Sequence, residues 1–268
     1  MSGDEVSVEA SDRFVAVPGG DVFVRQWRLD EEDRAPIILL HDSLGSVEQW
    51  RDFPEALAVA TGRGVIAYDR LGFGRSTRRA VPMQAGFIDD EARVYVPTLA
   101  DALGLGEYVL FGHSVGGGMA LVAAAVPGND CVAVITEAAQ AFVEARTLTG
   151  IREAKKAFAD ESRFARLERW HGERARWVLT AWTEVWLSPR FRDWSLDPYL
   201  DKVRCPVLAI HGDADEFGSG EFPRRIAQGV SGPAREAILD DCGHVPHRER
   251  RDHVLALVAA FLEENRVP

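Results

Sequence analysis

The stretch GHSVG at residues 112–116 decides how this sequence of 268 residues folds. It follows a short apolar run, residues 108–111, and precedes a segment rich in small residues. A serine on a very tight turn between a strand and a helix takes a strained backbone conformation, and the residues two positions away on either side must lack side chains. Gly112 and Gly116 meet this need. The pattern therefore predicts a strand, a turn and a helix with Ser114 as a nucleophile, the alternative being a structural glycine-rich turn.

Short apolar runs recur along the chain on both sides of this turn. Such runs suit strands that are covered on both faces, and hence a mostly parallel sheet. An antiparallel hairpin comes first, because alternating residues flank the turn-forming PGGD at 18–21. Helix-length segments separate the runs, which predicts an α/β fold. The predicted strands are residues 14–17, 22–27, 37–41, 65–68, 108–111, 132–135, 207–210 and 237–239, and the predicted helices 47–60, 89–102, 115–126, 221–229 and 251–264.

Residues 141–196 break this alternation, because they show helical patterns and no convincing strand. A helical insertion between two strands of one sheet most simply forms a cap over the edge of the sheet. We therefore predict an α/β core of residues 1–140 and 197–268 and a helical cap of residues 141–196. The insertion holds five of the seven tryptophans, which either form its own small core or line a ligand pocket beneath it. The candidates for the pocket are Trp177, Trp182 and Trp186.

Composition and charge exclude several classes of partner. Lysine and arginine total 31 and aspartate and glutamate 42, a formal net charge of −11, and no long basic stripe offsets it. We therefore expect no binding to nucleic acid or to an anionic membrane. The longest apolar stretches, such as residues 120–126, are far shorter than the ~20 residues of a membrane span. Residues 1–14 carry acid where a secretory signal would carry positive charge, which predicts a cytoplasmic protein.

A serine hydroxyl is a weak nucleophile at neutral pH and needs a histidine as base and a carboxylate to orient that histidine. The sequence offers both after later predicted strands, as IHGDAD at residues 210–215 and DCGHVPH at residues 241–247. The order of serine, acid and histidine along the chain is the order found in α/β-hydrolases. The candidates are Asp213, Asp215 and Glu216 for the acid, and His244 and His247 for the base.

Two further motifs, LHDSLGS at residues 40–46 and DRLGFGRS at residues 69–76, complete a resemblance to the α/β-hydrolase superfamily. The sequence resembles it from about residue 14 to residue 261, in the branch of cofactor-free serine hydrolases with a helical cap. Carboxylesterases, meta-cleavage-product hydrolases and haloperoxidase-like perhydrolases belong to that branch. The resemblance implies an eight-stranded, mostly parallel sheet with the active site at the carboxyl ends of its strands. It also implies that no cofactor and no metal is needed.

The resemblance assigns roles to individual residues. The family pattern Gly-His-x-Pro-His-x-Glu is present at residues 243–249, and its first histidine, here His244, is the catalytic one. This gives His247 a structural role. The catalytic carboxylate of the family pattern His-Gly-x-x-Asp is the last residue, here Asp215, with Asp213 as the alternative. The motif at residues 69–76 is interpreted as a structural turn.

Catalysis also needs two donors for the tetrahedral oxyanion, each worth roughly 3 kcal/mol. The residue after the nucleophile supplies one backbone N–H, that of Val115, at the start of a helix whose dipole favours negative charge. By resemblance, the second donor is Ser43. The sequence departs from the family here, because Asp42 stands where a glycine usually follows the histidine. Its bulkier, charged side chain either tilts the Ser43 amide or points outward.

The leading functional prediction is hydrolysis of a small carboxylic ester through an acyl-enzyme on Ser114. A serine at this turn argues against haloalkane dehalogenase and epoxide hydrolase activity, because those relatives place an aspartate there. Carbon–carbon hydrolysis of the meta-cleavage type is an alternative, but it would require positive groups for the carboxylate of the substrate. A third possibility is a small-molecule receptor that retains the triad with little turnover. The insertion contains both arginines and glutamates, so charge does not decide: Arg146, Arg163, Arg166, Glu144, Glu173 and Glu184.

Overall fold

A single sheet organises the protein, which the computed structural model describes through residues 7–29 and 33–268. The strands described are β1 (Val8–Val17), β2 (Gly20–Leu29), β3 (Ile37–Leu40), β4 (Val65–Tyr68), β5 (Tyr108–His113), β6 (Cys131–Glu137), β7 (Val207–Gly212) and β8 (Ala234–Leu239). Within these residues they lie in the order β1-β2-β4-β3-β5-β6-β7-β8. The strands from β3 to β8 run parallel to one another, whereas β1 pairs antiparallel with β2 and β2 with β4. The predicted α/β fold with an eight-stranded, mostly parallel sheet is confirmed.

Helices flank this sheet on both faces. In the described part of the chain they are α1 (Phe53–Thr61), α2 (Phe87–Asp90), α3 (Val96–Leu103), α4 (Val115–Ala124), α5 (Ala145–Ala157), α6 (Glu161–His171), α7 (Ala175–Trp186), α8 (Asp197–Leu200), α9 (Glu221–Gly229), α10 (Pro246–Glu249) and α11 (Arg251–Glu264). The helix predicted over residues 47–60 is divided into a 3₁₀ turn, Val47–Trp50, and α1. Pro54 is the reason, because proline lacks an N–H and fits only the first turn of a helix.

Both faces of the sheet are covered by helices, which explains the apolar runs in the sequence. In β3, Ile37 and Leu39 pack into a core shared with α1 and α11. Ile38 and Leu40 point to the opposite face and pack against α4. All four side chains are buried. Successive residues of a strand face opposite sides, so a strand covered twice must be apolar throughout.

The predicted insertion leaves and rejoins the sheet at adjacent points. Between β6 and β7 the chain forms helices α5 to α8. Phe142 and Ser195 form an antiparallel bridge at its base, and the N–H of Leu196 donates to the carbonyl of Ala141 at 2.8 Å. The helical pattern predicted for residues 141–196 is present as α5, α6 and α7, although α6 buries only Leu167 and His171. The division into core and cap stays a prediction.

In the part of the chain that the structure describes, no helix is long and apolar enough to span a bilayer. Residues 1–6 belong to the stretch that predicted the absence of a secretory signal, and they lie outside the described residues. The cytoplasmic location therefore stays a prediction.

Candidate active site

Ser114 occupies a tight turn between β5 and α4. Its φ of 56° and ψ of −124° place a non-glycine residue in the left-handed region of backbone space, a conformation that costs on the order of 1–3 kcal/mol. A Cβ on Gly112 would lie 2.2 Å from the carbonyl oxygen of Gly116, and a Cβ on Gly116 would lie 2.1 Å from that of Leu40. Only glycine fits at either position, so the turn that the sequence predicts around Ser114 is present.

Ser114, His244 and Asp215 form a continuous hydrogen-bonded relay. The Oγ of Ser114 is 3.0 Å from Nε2 of His244, and Nδ1 of His244 is 2.9 Å from each carboxylate oxygen of Asp215. The three residues follow β5, β8 and β7, whose carboxyl ends meet at one edge of the sheet. The backbone N–H of Phe217 donates to Oδ1 of Asp215 at 2.7 Å and fixes the carboxylate. A hydroxyl that donates to an imidazole held by a carboxylate is the arrangement that activates a serine.

The alternative acid and base lie outside this relay. Asp213 accepts a hydrogen bond from the N–H of Cys242 at 3.2 Å, and Glu216 is exposed. His247 is buried, with its Nδ1 2.5 Å from Oε2 of Glu137. The structure thus brings together the three residues singled out by the resemblance, whose catalytic roles remain a prediction.

Opposing effects determine the protonation of the relay. Burial alone would lower the pKa of His244, but the neighbouring Asp215 carboxylate outweighs burial, and the pKa of His244 is raised. Burial alone would raise the pKa of Asp215, but His244 and the hydrogen bonds to the carboxylate outweigh it, and the pKa of Asp215 is lowered. Asp215 is therefore ionised at neutral pH and stabilises positive charge on the imidazole.

This electrostatic arrangement predicts the pH dependence of activity. His244 can take a proton only when neutral, so kcat/KM for a neutral ester should fall as pH falls through a pKa above the usual ~6.5 of histidine. Asp215→Asn should move this ionisation to lower pH, because it removes the charge that raises the pKa of His244. It should also reduce kcat by about 10⁴. Rate profiles of the two proteins measure both effects, and an ionisation that Asp215→Asn leaves in place would contradict the coupling.

A cavity of about 160 Å³ opens beside Ser114. Aromatic and aliphatic side chains of α5, α7 and the loop after β7 form most of its wall. Among the described residues that line it there is no lysine or arginine, and Asp42 is the one acidic side chain. An apolar cavity of ~150 Å³ can hold benzene, so this cavity suits a group of about six carbon atoms. The lining residues are Asp42, Ser43, Leu44, Ser114, Gln140, Thr147, Ile151, Ala154, Phe158, Trp182, Trp186, Phe217 and His244.

The three tryptophans predicted to line a pocket do not all do so. Trp182 and Trp186 line the cavity, but Trp177 does not, and the prediction is wrong for that residue. Trp177 packs edge-on against Phe73 with 5.6 Å between ring centroids, and its indole N–H donates to the carbonyl of Val81 at 3.1 Å. Trp177 lies five residues before Trp182 on α7. Because one helical turn takes 3.6 residues, the two side chains point to different sides of the helix.

The carboxylate of Asp42 shapes the predicted oxyanion loop. Its Oδ1 accepts the N–H of Leu44 at 2.8 Å, and its Oδ2 is 3.5 Å from Nδ1 of His113. The carboxylate thus closes a turn around Ser43, which lines the cavity. Val115 is the first residue of α4, so its N–H has no acceptor within the helix. The oxyanion roles of Ser43 and Val115 remain predictions.

Behind the relay lies a buried group of His113, Glu137 and His247, whose polar atoms are all within 4.8 Å of one another. Nε2 of His113 donates to the carbonyl of His244 at 2.7 Å, and His247 is bonded to Glu137. Burial raises the pKa of Glu137 to about 7 and lowers the pKa of His247 to about 3. These bonds position the loop of His244, so we interpret the group as a supporting network and assign it no metal.

The motif at residues 69–76 also has structural contacts. The carboxylate of Asp69 accepts the N–H groups of Val47 and Arg75 at 2.6 and 2.7 Å. A Cβ on Gly74, whose φ is +45°, would lie 2.1 Å from the same carboxylate. The loop therefore connects the strand to the 3₁₀ turn, in line with its predicted role as a structural turn.

Gln140 is a cavity residue that no sequence pattern predicted. Its side chain is buried, lines the cavity and lies 3.4 to 3.5 Å from the Oγ of Ser114. The available signal was its place just after the buried strand β6, at the edge where Ser114 also lies. One glutamine in an otherwise small apolar stretch matches no catalytic pattern.

Comparison with known proteins identifies the family of the fold. The family model of the alpha/beta hydrolase fold matches residues 35–250. The chain therefore belongs to the alpha/beta hydrolase fold family. The finer branch of cap-bearing serine hydrolases stays a prediction.

Individual relatives are more distant. The chain is 30% identical to the human (lyso)-N-acylphosphatidylethanolamine lipase (Homo sapiens) over 112 residues, 40% of this chain and 31% of the relative. It is 37% identical to a proline iminopeptidase of Lactobacillus delbrueckii subsp. lactis over 93 residues, 34% of this chain and 31% of the relative. The matched segments thus span about a third of these proteins. The enol-lactonase structure from Burkholderia xenovorans LB400 shares the fold, with a TM-score of 0.73, 21% identity, and coverage of 94% of this chain and 100% of that one.

Proposed function

We propose that this protein is a serine hydrolase that cleaves a small carboxylic ester through an acyl-enzyme on Ser114. The Oγ of Ser114 attacks the ester carbonyl while His244 takes its proton. His244 then gives that proton to the departing alcohol. Water next attacks the acyl-enzyme and loses a proton to His244, which gives it to Oγ of Ser114 as the acid is released. Val115 and Ser43 are proposed to donate to the oxyanion in both tetrahedral intermediates.

The hydrogen-bonded set of Ser114, His244 and Asp215, with distances of 3.0 Å from Oγ to Nε2 and 2.9 Å from Nδ1 to the carboxylate, is the observation that carries this proposal. A cavity suited to a small apolar group adjoins it. Helices α5 and α7 contribute part of that wall, which supports the proposal that residues 141–196 act as a cap. One protein of similar structure is an enol-lactonase, and a lactone is a cyclic ester.

The charges around the cavity favour a neutral ester over carbon–carbon hydrolysis of an anionic substrate. Arg146 donates to the carbonyls of Asp215 and Gly218 at 3.2 Å each and does not line the cavity. Arg163 and Arg166 do not line the cavity but an outer groove that shares Leu44 and Phe158 with the cavity wall. Since Asp42 is the acidic side chain in the wall, a substrate carboxylate would meet repulsion and no positive partner.

Steady-state release of 4-nitrophenol from 4-nitrophenyl acetate and butyrate tests the proposal. Turnover well above the spontaneous rate, with transfer of an acyl group to the peptide containing Ser114 detected by mass spectrometry, is the expected result. Binding of such esters without turnover would instead support the receptor alternative and contradict the proposed hydrolase.

The size of the cavity predicts a preference for short acyl chains. Among 4-nitrophenyl esters, kcat/KM should be highest for acyl groups of about four to six carbons. It should fall by about tenfold or more for dodecanoate, because the added methylenes have no room. Trp182→Ala enlarges the cavity and should move the maximum of kcat/KM to longer acyl chains.

Trp177→Ala is the matched control, because Trp177 lies on the same helix outside the cavity. An equal shift in both variants, or none with Trp182→Ala, would show that this cavity does not hold the acyl chain.

A further inference from the structure

Gln140 is held in position from both sides. It follows β6 after Ala138, whose φ of 51° is unusual for a residue with a side chain. The N–H of Ala138 donates to the carbonyl of Ile210 at 2.9 Å, and the carbonyl of Ala141 accepts the N–H of Leu196. Such strain persists only where the surrounding structure imposes it, and it is often found at functional sites. The amide side chain of Gln140 therefore faces Ser114, and the residue as a whole is 4% exposed.

The hydrogen-bonding capacity of this amide is almost unused. A glutamine side chain offers two N–H donors and a carbonyl with two acceptor sites. Among the described residues, the one hydrogen-bond partner of the Gln140 side chain is Oγ of Ser114, with Nε2 at 3.4 Å and Oε1 at 3.5 Å. Both distances exceed the usual 2.7–3.2 Å of such bonds. Burial of a polar group without good partners is costly, so the amide is poised for a ligand.

Oε1 of Gln140 lacks a donor both before and after acylation. The hydroxyl proton of Ser114 points to His244, whose Nε2 is the nearer acceptor at 3.0 Å. Once Oγ carries the acyl group it is an ester oxygen without a proton, so the acyl-enzyme gives Oε1 no donor from Ser114. A hydroxyl on the acyl group matches the amide best, because it can donate to Oε1 and accept from Nε2. On the second or third carbon of the acyl group, that hydroxyl would lie three or four bonds from Oγ.

Two other polar side chains of the cavity are already engaged. The hydroxyl of Thr147 donates to the carbonyl of Phe217 at 2.7 Å. The carboxylate of Asp42 accepts from the N–H of Leu44. Trp182 and Trp186 offer mostly apolar surface to the acyl chain, and the indole N–H of Trp186, which is buried without a hydrogen-bond partner among the described residues, can only donate.

We propose that Gln140 selects substrates whose acyl group carries a hydroxyl on its second or third carbon, that is, esters of short hydroxy acids. This inference rests on the proposed esterase function and specifies its substrate class. A site built to bind a hydroxyl discriminates against the analogue that lacks it, because its buried polar groups are then unpaired.

Pairs of 4-nitrophenyl esters of equal size test the inference. The 3-hydroxybutanoate is compared with the 3-methylbutanoate, and the 2-hydroxybutanoate with the 2-methylbutanoate. Each kcat/KM is divided by the rate constant for hydroxide hydrolysis of the same ester. The wild-type protein should favour the hydroxy member of at least one pair by about tenfold or more. Gln140→Met, which keeps the length but not the amide, should bring that ratio close to one.

Thr147→Val serves as the control, because it removes a cavity hydroxyl that is already bonded within the protein, and it should retain the preference. Equal rates within both pairs for the wild type, or an unchanged ratio in Gln140→Met, would overturn the inference while leaving the esterase proposal intact. Failure of all four esters to be hydrolysed would contradict the esterase proposal itself.

A binding measurement tests the role of Gln140 independently of turnover. In Ser114→Ala, tryptophan fluorescence from Trp182 and Trp186 reports occupation of the cavity by methyl 3-hydroxybutanoate, methyl 3-methylbutanoate and the corresponding pair of 2-substituted methyl esters. Tighter binding of at least one hydroxy ester than of its matched methyl-substituted ester, lost when Gln140→Met is added, supports the inference. Equal binding within both pairs would overturn it.

Discussion

Ser114→Ala should reduce kcat for 4-nitrophenyl butyrate by about 10⁵ to 10⁶ if the proposed mechanism operates, as removal of the nucleophile does in a well-studied serine protease. The variant should fold, because the hydroxyl makes one bond of normal length, to His244, and alanine is smaller than serine in the same backbone conformation. Residual rates would come from the oxyanion donors and substrate binding alone. Steady-state assays with circular dichroism on the same samples measure the effect.

Ser219→Ala is a matched control for this substitution. Its hydroxyl donates to Oε2 of Glu144 at 3.0 Å and does not line the cavity. Its kcat should stay within a few-fold of the wild type. If Ser114→Ala kept activity within tenfold of the wild type, the acyl-enzyme mechanism would be rejected.

His244→Ala and His247→Ala should fail in different ways. His244→Ala removes the base that contacts Ser114 and should reduce kcat by about 10⁵ to 10⁶ with little change in stability. His247 does not contact Ser114. It is bonded to Glu137 and packs between Trp50 and Phe53, with ring centroids 4.7 and 5.3 Å away.

His247→Ala therefore leaves the buried Glu137 without its partner and opens a space beside two aromatic rings. We expect a loss of about 2–4 kcal/mol in the free energy of unfolding, with kcat per folded molecule changed by less than about tenfold. Urea denaturation and active-site titration separate the two quantities. Activity abolished in folded His247→Ala but retained in His244→Ala would reverse the assignment.

The sheet could be predicted because its signals are local. Apolar runs such as residues 65–68 and 207–210 mark strands that are covered twice, and both are present as β4 and β7. The start of β1 was missed, since most of residues 8–13 is exposed and the backbone ladder with β2 determines its length. Exposed elements depend on backbone pairing and neighbours rather than on apolar periodicity.

The candidate site divides in the same way. GHSVG predicts the turn around Ser114, and the need for glycine at Gly112 comes from a contact inside that turn, with the carbonyl of Gly116. The need for glycine at Gly116 comes instead from the close approach of Leu40 in β3. The prediction that Trp177 lines the pocket was wrong, and Gln140 was not predicted at all. The surroundings that a side chain meets on a helix or after a strand depend on elements distant in sequence.

Local sequence decided the fold class, the nucleophile turn and the order in which acid and base follow it, since each depends on backbone geometry or on burial on both faces. Tertiary structure alone decided the rest. It places Nε2 of His244 3.0 Å from Oγ of Ser114, although the two residues are 130 positions apart. It also determines which tryptophans line the cavity and that Gln140 faces Ser114. Those relations arise only when parallel strands bring their carboxyl ends to one edge, where residues distant in sequence become neighbours.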